Sequence, residues 1–318
     1  MDTDKHEKDK ATLVQPVIDA LLDVSHVFPA RYLPVFSDIS EQGFKAVREA
    51  WPRVAVERRI SLLSDLELAT EADSLLSFDT LAKFALDDDE PNVRSRAISL
   101  MWESDDPVFL DSLIEILDSD PSDLVQVSAA AGLGRFILMG ELDEIPKRLL
   151  ELAVSSLQKK LSSKPSKVVQ QEILKSLAYT GSKDVNRQIE KAYADPDPTW
   201  KLTAVISMGR TADERWESNV LRDMESNVIA IQNEAVKAAG EIELESARLP
   251  LLDMLESGIS DLELRLHVIW ALARIGGEDV KESLQALIEE ADDEEEIDVI
   301  EMALEHLEFS EELPDLDL

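Results

Sequence analysis

The chain repeats one short apolar pattern eight times. In six copies an aliphatic residue is followed four places later by a small or aliphatic residue that begins an apolar run, and we call that later residue the anchor. Trp200 and Glu296 stand in place of the aliphatic residue in the other two copies. The anchors are Ile60, Ala97, Ala129, Ile173, Ala204, Ala235, Val268 and Ile300. Successive anchors lie 37, 32, 44, 31, 31, 33 and 32 residues apart. A regular period in this range predicts an array of stacked supersecondary units.

Each unit of the array has the pattern of two helices. The anchor segment carries apolar residues at about −4, 0, +3, +4 and +7 relative to the anchor, which is the stripe of an amphipathic helix. A second helical segment follows, and links rich in Asp, Pro, Asn and Ser separate the units, as in "DDDEPN" and "DSDPSD". Gly134, Gly209, Gly240 and Gly276 fall at or near the expected ends of anchor helices.

The ends of the array depart from the repeat. We predict an N-terminal tail and helical cap over residues 1–40, with a helix at 11–26, because a terminal repeat needs an atypical cover for its apolar face. The array itself is predicted over 41–308, with an insertion near 140–167 that lengthens the first helix and its loop. A last capping helix is expected near 296–308, followed by an acidic tail over 309–318.

The repeats resemble HEAT repeats, and in particular the short HEAT-like repeats of the phycobilisome lyase type. The segment "DDDEPNVRSRAISLM" at 87–101 carries the resemblance best. It implies an all-α fold: a right-handed α–α superhelix of about seven to eight helix pairs. It also implies an Arg after the aliphatic residue that pairs with a neighbouring Asp. Arg94 and Arg265 keep that Arg, whereas Gln126, Gln170 and Gln232 replace it, which predicts a weaker polar ladder.

The charge of the chain disfavours two classes of partner. Thirty-two basic residues against 67 acidic ones give a net charge of −35, which repels nucleic acid and anionic membranes. From Glu289 onward there are fifteen Asp or Glu and no Lys or Arg. This segment is either a solubilising face or an element that steers a basic partner. The charged N-terminus and the lack of a long apolar run predict a cytoplasmic protein.

Catalytic chemistry has little support in the residues. There is no cysteine, and no HExxH, Gly-rich phosphate loop or Ca²⁺-loop spacing appears. In "LRLHVIWALARIGG" (264–277), His267 falls in a column that is polar in the sister repeats and that we expect to be solvated. His-Glu occurs once, at His6–Glu7, whereas the HEAT-like di-iron hydroxylases repeat that pair. We therefore predict no catalytic, cofactor-binding or metal-binding residue.

A partner-binding patch is the alternative for the apolar residues at −2 and +2, which lie opposite the stripe. Most repeats are polar or small there, but two are not. The candidate partner-binding residues are Leu202, Ile206, Leu266 and Trp270, rimmed by Lys201, Lys237 and Arg265, together with Trp102. A solenoid helix also has neighbours on three sides, so burial explains the same residues. Trp200 is expected in the core.

The sequence thus favours a non-catalytic HEAT-repeat scaffold or adaptor. It would be a monomer that holds a protein or peptide on its concave face, without nucleic acid or membrane partners. The alternative is a lyase-like enzyme or enzyme subunit that acts on a chromophore or a modified protein.

Overall fold

The structure is a computed structural model that describes residues 14–37, 39–73, 75–290 and 293–312, and every regular element in these ranges is a helix. The α-helices are α1 (14–22), α2 (Glu41–Ala50), α3 (Val56–Ala72), α4 (Asp79–Ala85), α5 (Pro91–Leu100), α6 (Pro107–Ser119), α7 (Asp123–Glu141), α8 (Lys147–Ser162), α9 (Lys167–Leu177), α10 (Lys183–Tyr193), α11 (Pro198–Arg210), α12 (Glu217–Met224), α13 (Ile229–Glu241), α14 (Arg248–Glu256), α15 (Leu262–Ile275), α16 (Glu278–Glu290) and α17 (Glu294–Glu312). Short 3-10 helices lie at Ala30–Phe36, Trp51–Arg53, Ala178–Thr180, Glu214–Trp216 and Glu245–Ala247.

The chain divides into two units, Met1–Val169 and Gln170–Leu318. In the first unit, α3, α5 and α7 pack side by side, and α4 and α6 each pack against the helix that follows. In the second unit, α11, α13, α15 and α17 pack side by side, and α10, α12, α14 and α16 each pack against the helix that follows. Each unit is therefore a stack of helix pairs, which confirms the predicted all-α solenoid arrangement.

The anchor residues form the centre of these stacks. Seven of the eight anchors, from Ala97 onward, are completely buried on the odd-numbered helices α5 to α17. In α3, however, Ile60 is only half-buried, whereas Leu62 is completely buried. The first anchor is therefore Leu62, two residues later than predicted. The apolar run "ISLL" offers two registers, and packing selects the second.

The N-terminal segment packs on the first stack. Helix α1 ends at residue 22, short of the predicted 26, and residues 11–13 of that prediction lie outside the described residues. Arg58 on α3 fixes the end of α1, because it donates hydrogen bonds to the carbonyl oxygens of Asp23 (2.7 Å) and His26. Leu21 and Phe36 join the buried cluster of this stack, as expected of a cap.

The insertion near 140–167 lengthens both helices of its repeat, α7 to 19 residues and α8 to 16 residues. The two pack closely, since a Cβ atom added to Gly140 would lie 2.6 Å from the Cβ of Leu150. At the other end of the chain, α17 runs over Glu294–Glu312, beyond the predicted 296–308. Residues 313–318 of the predicted acidic tail lie outside the described residues.

A ladder of ion pairs joins successive helix pairs. A basic residue three places before the anchor reaches an acidic residue that precedes or begins the next anchor helix. The pairs are Arg59–Asp88 (2.6 Å), Arg94–Asp120 (2.8 Å), Lys201–Asp223 (2.8 Å) and Arg265–Glu296 (2.6 Å). The acidic side chains are buried. The sequence indicated only the pairs of Arg94 and Arg265, because Arg59 is out of register with Ile60 as anchor and Lys201 is not an Arg.

Glutamine takes the same place in three other repeats, and in two of them it makes a different contact. Gln126 donates to the carbonyl oxygen of Asp120 at 2.6 Å, and Gln232 donates to that of Met224 at 2.9 Å. In both cases the amide ties the anchor helix to the link that precedes it. These repeats keep a polar contact but lose the charged bridge to the next one, as the sequence predicted.

Three of the four glycines assigned to positions at or near helix ends lie there, and two of these also contact a neighbouring helix. Gly276, with φ of +73°, caps α15, Gly209 and Gly240 are the second-last residues of α11 and α13, and Gly134 lies in the middle of α7. A Cβ atom at Gly209 would lie 3.0 Å from the Cα of Ala238, and one at Gly240 would lie 2.8 Å from the Cα of Ala271. These glycines allow neighbouring anchor helices to meet backbone to backbone.

Candidate partner-binding face

The candidate site in the second unit is built on α11, α13 and α15, which pack side by side. The contacts at Gly209 and Gly240 follow one pattern, because each glycine, five places after its anchor, lies beside the residue three places after the next anchor. The candidate residues occupy positions −2 and +2 relative to the anchors of these helices. We call these positions the anchor-helix face. Its residues are Leu202 and Ile206 on α11, Asn233 and Lys237 on α13, and Leu266 and Trp270 on α15.

Trp270 is the most exposed large apolar side chain of this face, with 38% of its surface accessible. Its ring lies against α13, because a Cβ atom at Gly240 would come within 2.6 Å of ring atom Cζ3. Gly240 thus leaves room for the indole, which is held in place while one side stays open. Leu202, Ile206 and Leu266 are half-buried. The exposure of these residues is therefore intermediate: lower than expected for a free surface patch and higher than expected for a buried core.

The apolar residues do not form one continuous patch. Leu202 and Ile206 lie on α11, and Trp270 lies on α15, with α13 between the two helices. Lys237 occupies the corresponding position of α13, where its ammonium group lies 3.6 Å from Glu234. The face therefore presents apolar side chains on α11, a charged side chain on α13 and an apolar side chain on α15.

Two of the three rim cations belong to the ladder. The ammonium group of Lys201 contacts the carboxylate of Asp223, and it also lies 5.2 Å from the ring centre of Tyr193. Arg265 donates to the buried carboxylate of Glu296. These ion pairs account for Lys201 and Arg265 without a partner, and Lys237 is the rim cation that lies on the face itself.

Trp102 lies in the first unit, apart from the anchor-helix face, and 51% of its surface is exposed. It follows the end of α5 and lines a cleft of that unit. Trp200, expected in the core, is half-buried. The −1 column differs in part from the prediction: Glu172 and Thr203 in it are buried, whereas Arg96 is exposed.

Two side-chain atoms on α13 and α15 have no hydrogen-bond partner among the described residues: Oδ1 of Asn233, at position −2 and buried, and Nδ1 of His267, in the −1 column. Burial lowers the pKa of His267, and the positive charge of Lys237 lowers it further. His267 is therefore neutral at physiological pH. Its half-buried place between α13 and α15 agrees with a packing role and differs from the solvated position expected from the sequence.

Glu241 is a feature of the face that sequence reasoning missed. Burial raises the pKa of its carboxyl to about 7, although the charges of Arg210 and Lys237 act in the opposite direction. Its Oε2 atom occupies the space beside Gly209, 1.9 Å from where a Cβ atom would be. The sequence offered one signal for Glu241. The residue six places after the anchor is Arg210 in α11 and Arg274 in α15, whereas it is acidic in α13.

Among the described residues there is no group of three or more His, Asp or Glu side chains placed to hold a metal ion. No helix of the described part is both long enough and apolar enough to cross a membrane.

Comparison with known proteins identifies the repeats. A family model described as HEAT repeats matches residues 218–305. No curated protein matches the chain.

Several solved structures are similar in fold at low identity. The complex of CpcE and CpcF of phycocyanin lyase from Nostoc sp. PCC7120 is 17% identical, with 72% of this chain and 94% of that chain covered and a TM-score of 0.46. Human deoxyhypusine hydroxylase is 16% identical, with 96% and 99% covered and a TM-score of 0.36. An engineered protein is 18% identical, with 93% and 88% covered and a TM-score of 0.37.

The family match begins at the second residue of α12 and continues through α13, α14, α15 and α16 into α17. The match therefore includes α13, which carries Lys237, and α15, which carries Trp270, two of the three helices of the candidate face. The predicted resemblance is confirmed over this region, since residues 218–305 match the model of HEAT repeats.

Proposed function

We propose that the chain is a non-catalytic cytoplasmic scaffold or adaptor that binds a protein or peptide on the anchor-helix face of its second unit. The observation that carries the proposal is Trp270, which is held against Gly240 while 38% of its surface is accessible. Partly exposed Trp side chains in a fixed position are frequent anchors of protein interfaces. Leu266, one turn away on α15, extends the apolar surface.

The ionisable groups around Trp270 support binding over catalysis. Lys201 and Arg265 are engaged in ion pairs with buried carboxylates, and His267 is half-buried and neutral. A general acid or base must reach a substrate proton, and a half-buried His267 between two helices is poorly placed to do so. We therefore assign these groups to the support of the face.

The charge of the chain indicates the kind of partner. At a net charge of −35, long-range attraction favours a basic protein or peptide over an acidic one. An apolar side chain of the partner would cover Trp270, and a basic residue beside it would approach Glu234 and Glu241 on α13. The scaffold itself would remain a monomer, since its own charge opposes self-association.

Selection of peptides from a random display library on the purified full chain tests the proposal. Peptides that bind the wild-type chain are expected to combine apolar and basic residues and to lose at least tenfold in affinity for Trp270→Ala. The matched control is Leu249→Ala on α14, because Leu249 is 64% exposed on an even-numbered helix and lies off the face. If the two variants lose the same affinity, or if the selected peptides bind both variants as tightly as the wild-type chain, the assignment of the binding site to this face is wrong.

A further inference from the structure

The first unit contains a second exposed Trp in a different chemical setting. A cleft of about 390 Å³ lies between the end of α3, the segment before α4 and the turn that follows α5. Six carboxylate side chains line it: Glu67, Glu71, Asp79, Glu103, Asp105 and Asp106. None of the described residues that line the cleft is basic.

Trp102 provides an aromatic surface in this cleft. It lies two residues after the end of α5, its backbone N–H donates to the carbonyl oxygen of Ser99 at 2.9 Å, and 51% of its surface is exposed. Phe78 and Met101, which also line the cleft, are almost completely buried. The indole therefore stands on a fixed apolar base and faces open solvent.

Part of the negative charge of the cleft is not neutralised by the protein. Glu67 lies 3.6 Å from Arg96, and Asp106 lies 2.9 Å from Lys83, which lowers the pKa of Asp106. By contrast, Glu103 is exposed and forms no ion pair with any described residue.

The same holds for Glu71 and Asp105, which are also exposed and unpaired among the described residues. The half-buried Arg135 donates to the carbonyl oxygen of Ser104 at 3.4 Å. Burial lowers the pKa of Arg135, and the charges of Glu103 and Asp105 act in the opposite direction, so both carboxylates lie in the field of this cation. The cleft thus holds three exposed carboxylates that form no ion pair among the described residues, together with a half-exposed indole.

We propose that this cleft binds an arginine side chain of a basic peptide segment, with the guanidinium group stacked on Trp102 and its N–H groups directed to the carboxylates of Glu103 and Asp105. A planar guanidinium group can stack on an aromatic ring and donate to carboxylates at the same time, which a lysine ammonium group does less well. The residues involved belong to the first unit, so that this proposal is independent of the function assigned to Trp270.

Fluorine NMR of the full chain labelled with 5-fluorotryptophan tests the proposal. The five Trp signals are assigned with single Trp→Phe variants and followed while a blocked pentapeptide, four glycines around a central arginine, is added. We expect the Trp102 signal to shift saturably and the signals of the buried Trp51 and Trp216 to stay unchanged. The same peptide with citrulline, which is similar in shape and neutral, is expected to bind at least fivefold more weakly.

Variants separate the cleft from the general negative field of the chain. Glu103→Gln/Asp105→Asn is expected to weaken the arginine peptide at least fivefold. The control Glu151→Gln/Glu190→Gln removes the same charge from exposed positions on α8 and α10 and is expected to have less than a twofold effect. Equal weakening by both pairs, equal affinity for citrulline or for a lysine peptide, or no shift at Trp102 would each overturn the proposal. Trp270→Ala is expected to leave this titration unchanged.

Discussion

Arg94 on α5 donates two hydrogen bonds to Asp120, from Nε at 2.8 Å and from Nη2 at 2.9 Å, one to each carboxylate oxygen. The same guanidinium group also donates to the carbonyl oxygen of Asp88 at 2.7 Å. Both side chains are almost completely buried. This bidentate contact ties α5 to the link that begins the next helix pair, so Arg94 joins two repeats as well as two charges.

We expect Arg94→Ala to lower the free energy of unfolding by about 3 kcal/mol, because the substitution leaves Asp120 buried without its partner. Urea denaturation of the full chain measures the change. The control is Lys83→Ala, which removes the exposed ion pair with Asp106 and is expected to lower the free energy by less than about 1 kcal/mol. Equal losses would contradict the structural role assigned to the ladder.

Gly240→Ala is expected to destabilise the second unit by about 1 to 3 kcal/mol, because the added methyl group would overlap both the backbone of Ala271 and the ring of Trp270. Thermal denaturation measures the effect. Gly132→Ala is a suitable comparison in the first unit, since its methyl group would meet only the end of the flexible Leu113 side chain. A smaller loss is expected there, and the reverse order would contradict the backbone contact.

Glu241→Gln is expected to change the pH dependence of stability. The folded-state pKa of about 7 lies above the ordinary glutamate value of 4.5, so the folded chain binds the proton more tightly than the unfolded chain does. The cost of ionising Glu241 is therefore absent below pH 4.5 and fully present above pH 7. The substitution should stabilise the chain at pH 8 by about 1 to 3 kcal/mol and have little effect at pH 4.5.

Urea denaturation at a series of pH values measures this difference. Glu256→Gln on α14 is the control, because Glu256 is exposed. A Glu241→Gln curve parallel to that of Glu256→Gln would show that the carboxyl of Glu241 titrates normally.

Replacement of two Trp residues distinguishes surface from core. Trp216→Ala is expected to cost about 3 to 5 kcal/mol, because Trp216 is 4% exposed and its indole N–H donates to Thr211 Oγ1 at 3.1 Å. Trp270→Ala should cost less, about 1 to 2 kcal/mol, since part of the ring remains in contact with water. Comparable losses in urea denaturation would favour the core interpretation of Trp270.

The repeat period was sufficient to predict the helical stack, because seven anchors recur in a strict column and each is completely buried. It was not sufficient for the first register, since "ISLL" offers both Ile60 and Leu62 as anchors and only packing distinguishes them. The roles of Gly209 and Gly240 were also missed. A glycine near the end of an apolar stripe looks the same in sequence whether it ends the helix or contacts a neighbour.

The candidate site was predicted less well than the fold. Position within the repeat singled out Trp270, which is 38% exposed, but it grouped Trp270 with Trp102, which lies in the other unit. Lys201 and Arg265 looked like a free rim because the acidic partners Asp223 and Glu296 lie 22 and 31 residues away in the chain. The raised pKa of Glu241 depends on its burial, and burial at this position could not be predicted from the repeat pattern.

The backbone contacts at Gly209 and Gly240 have a mechanical consequence. Side chains between two helices can change rotamer, which lets the distance between the helices vary. A Cα atom packed against a neighbouring backbone has no such freedom. Helices α11, α13 and α15 are therefore expected to move as one stiff plate when the second unit bends. Elastic strain would then be taken up outside these two junctions, and the positions of Lys237 and Trp270 relative to each other would stay constant.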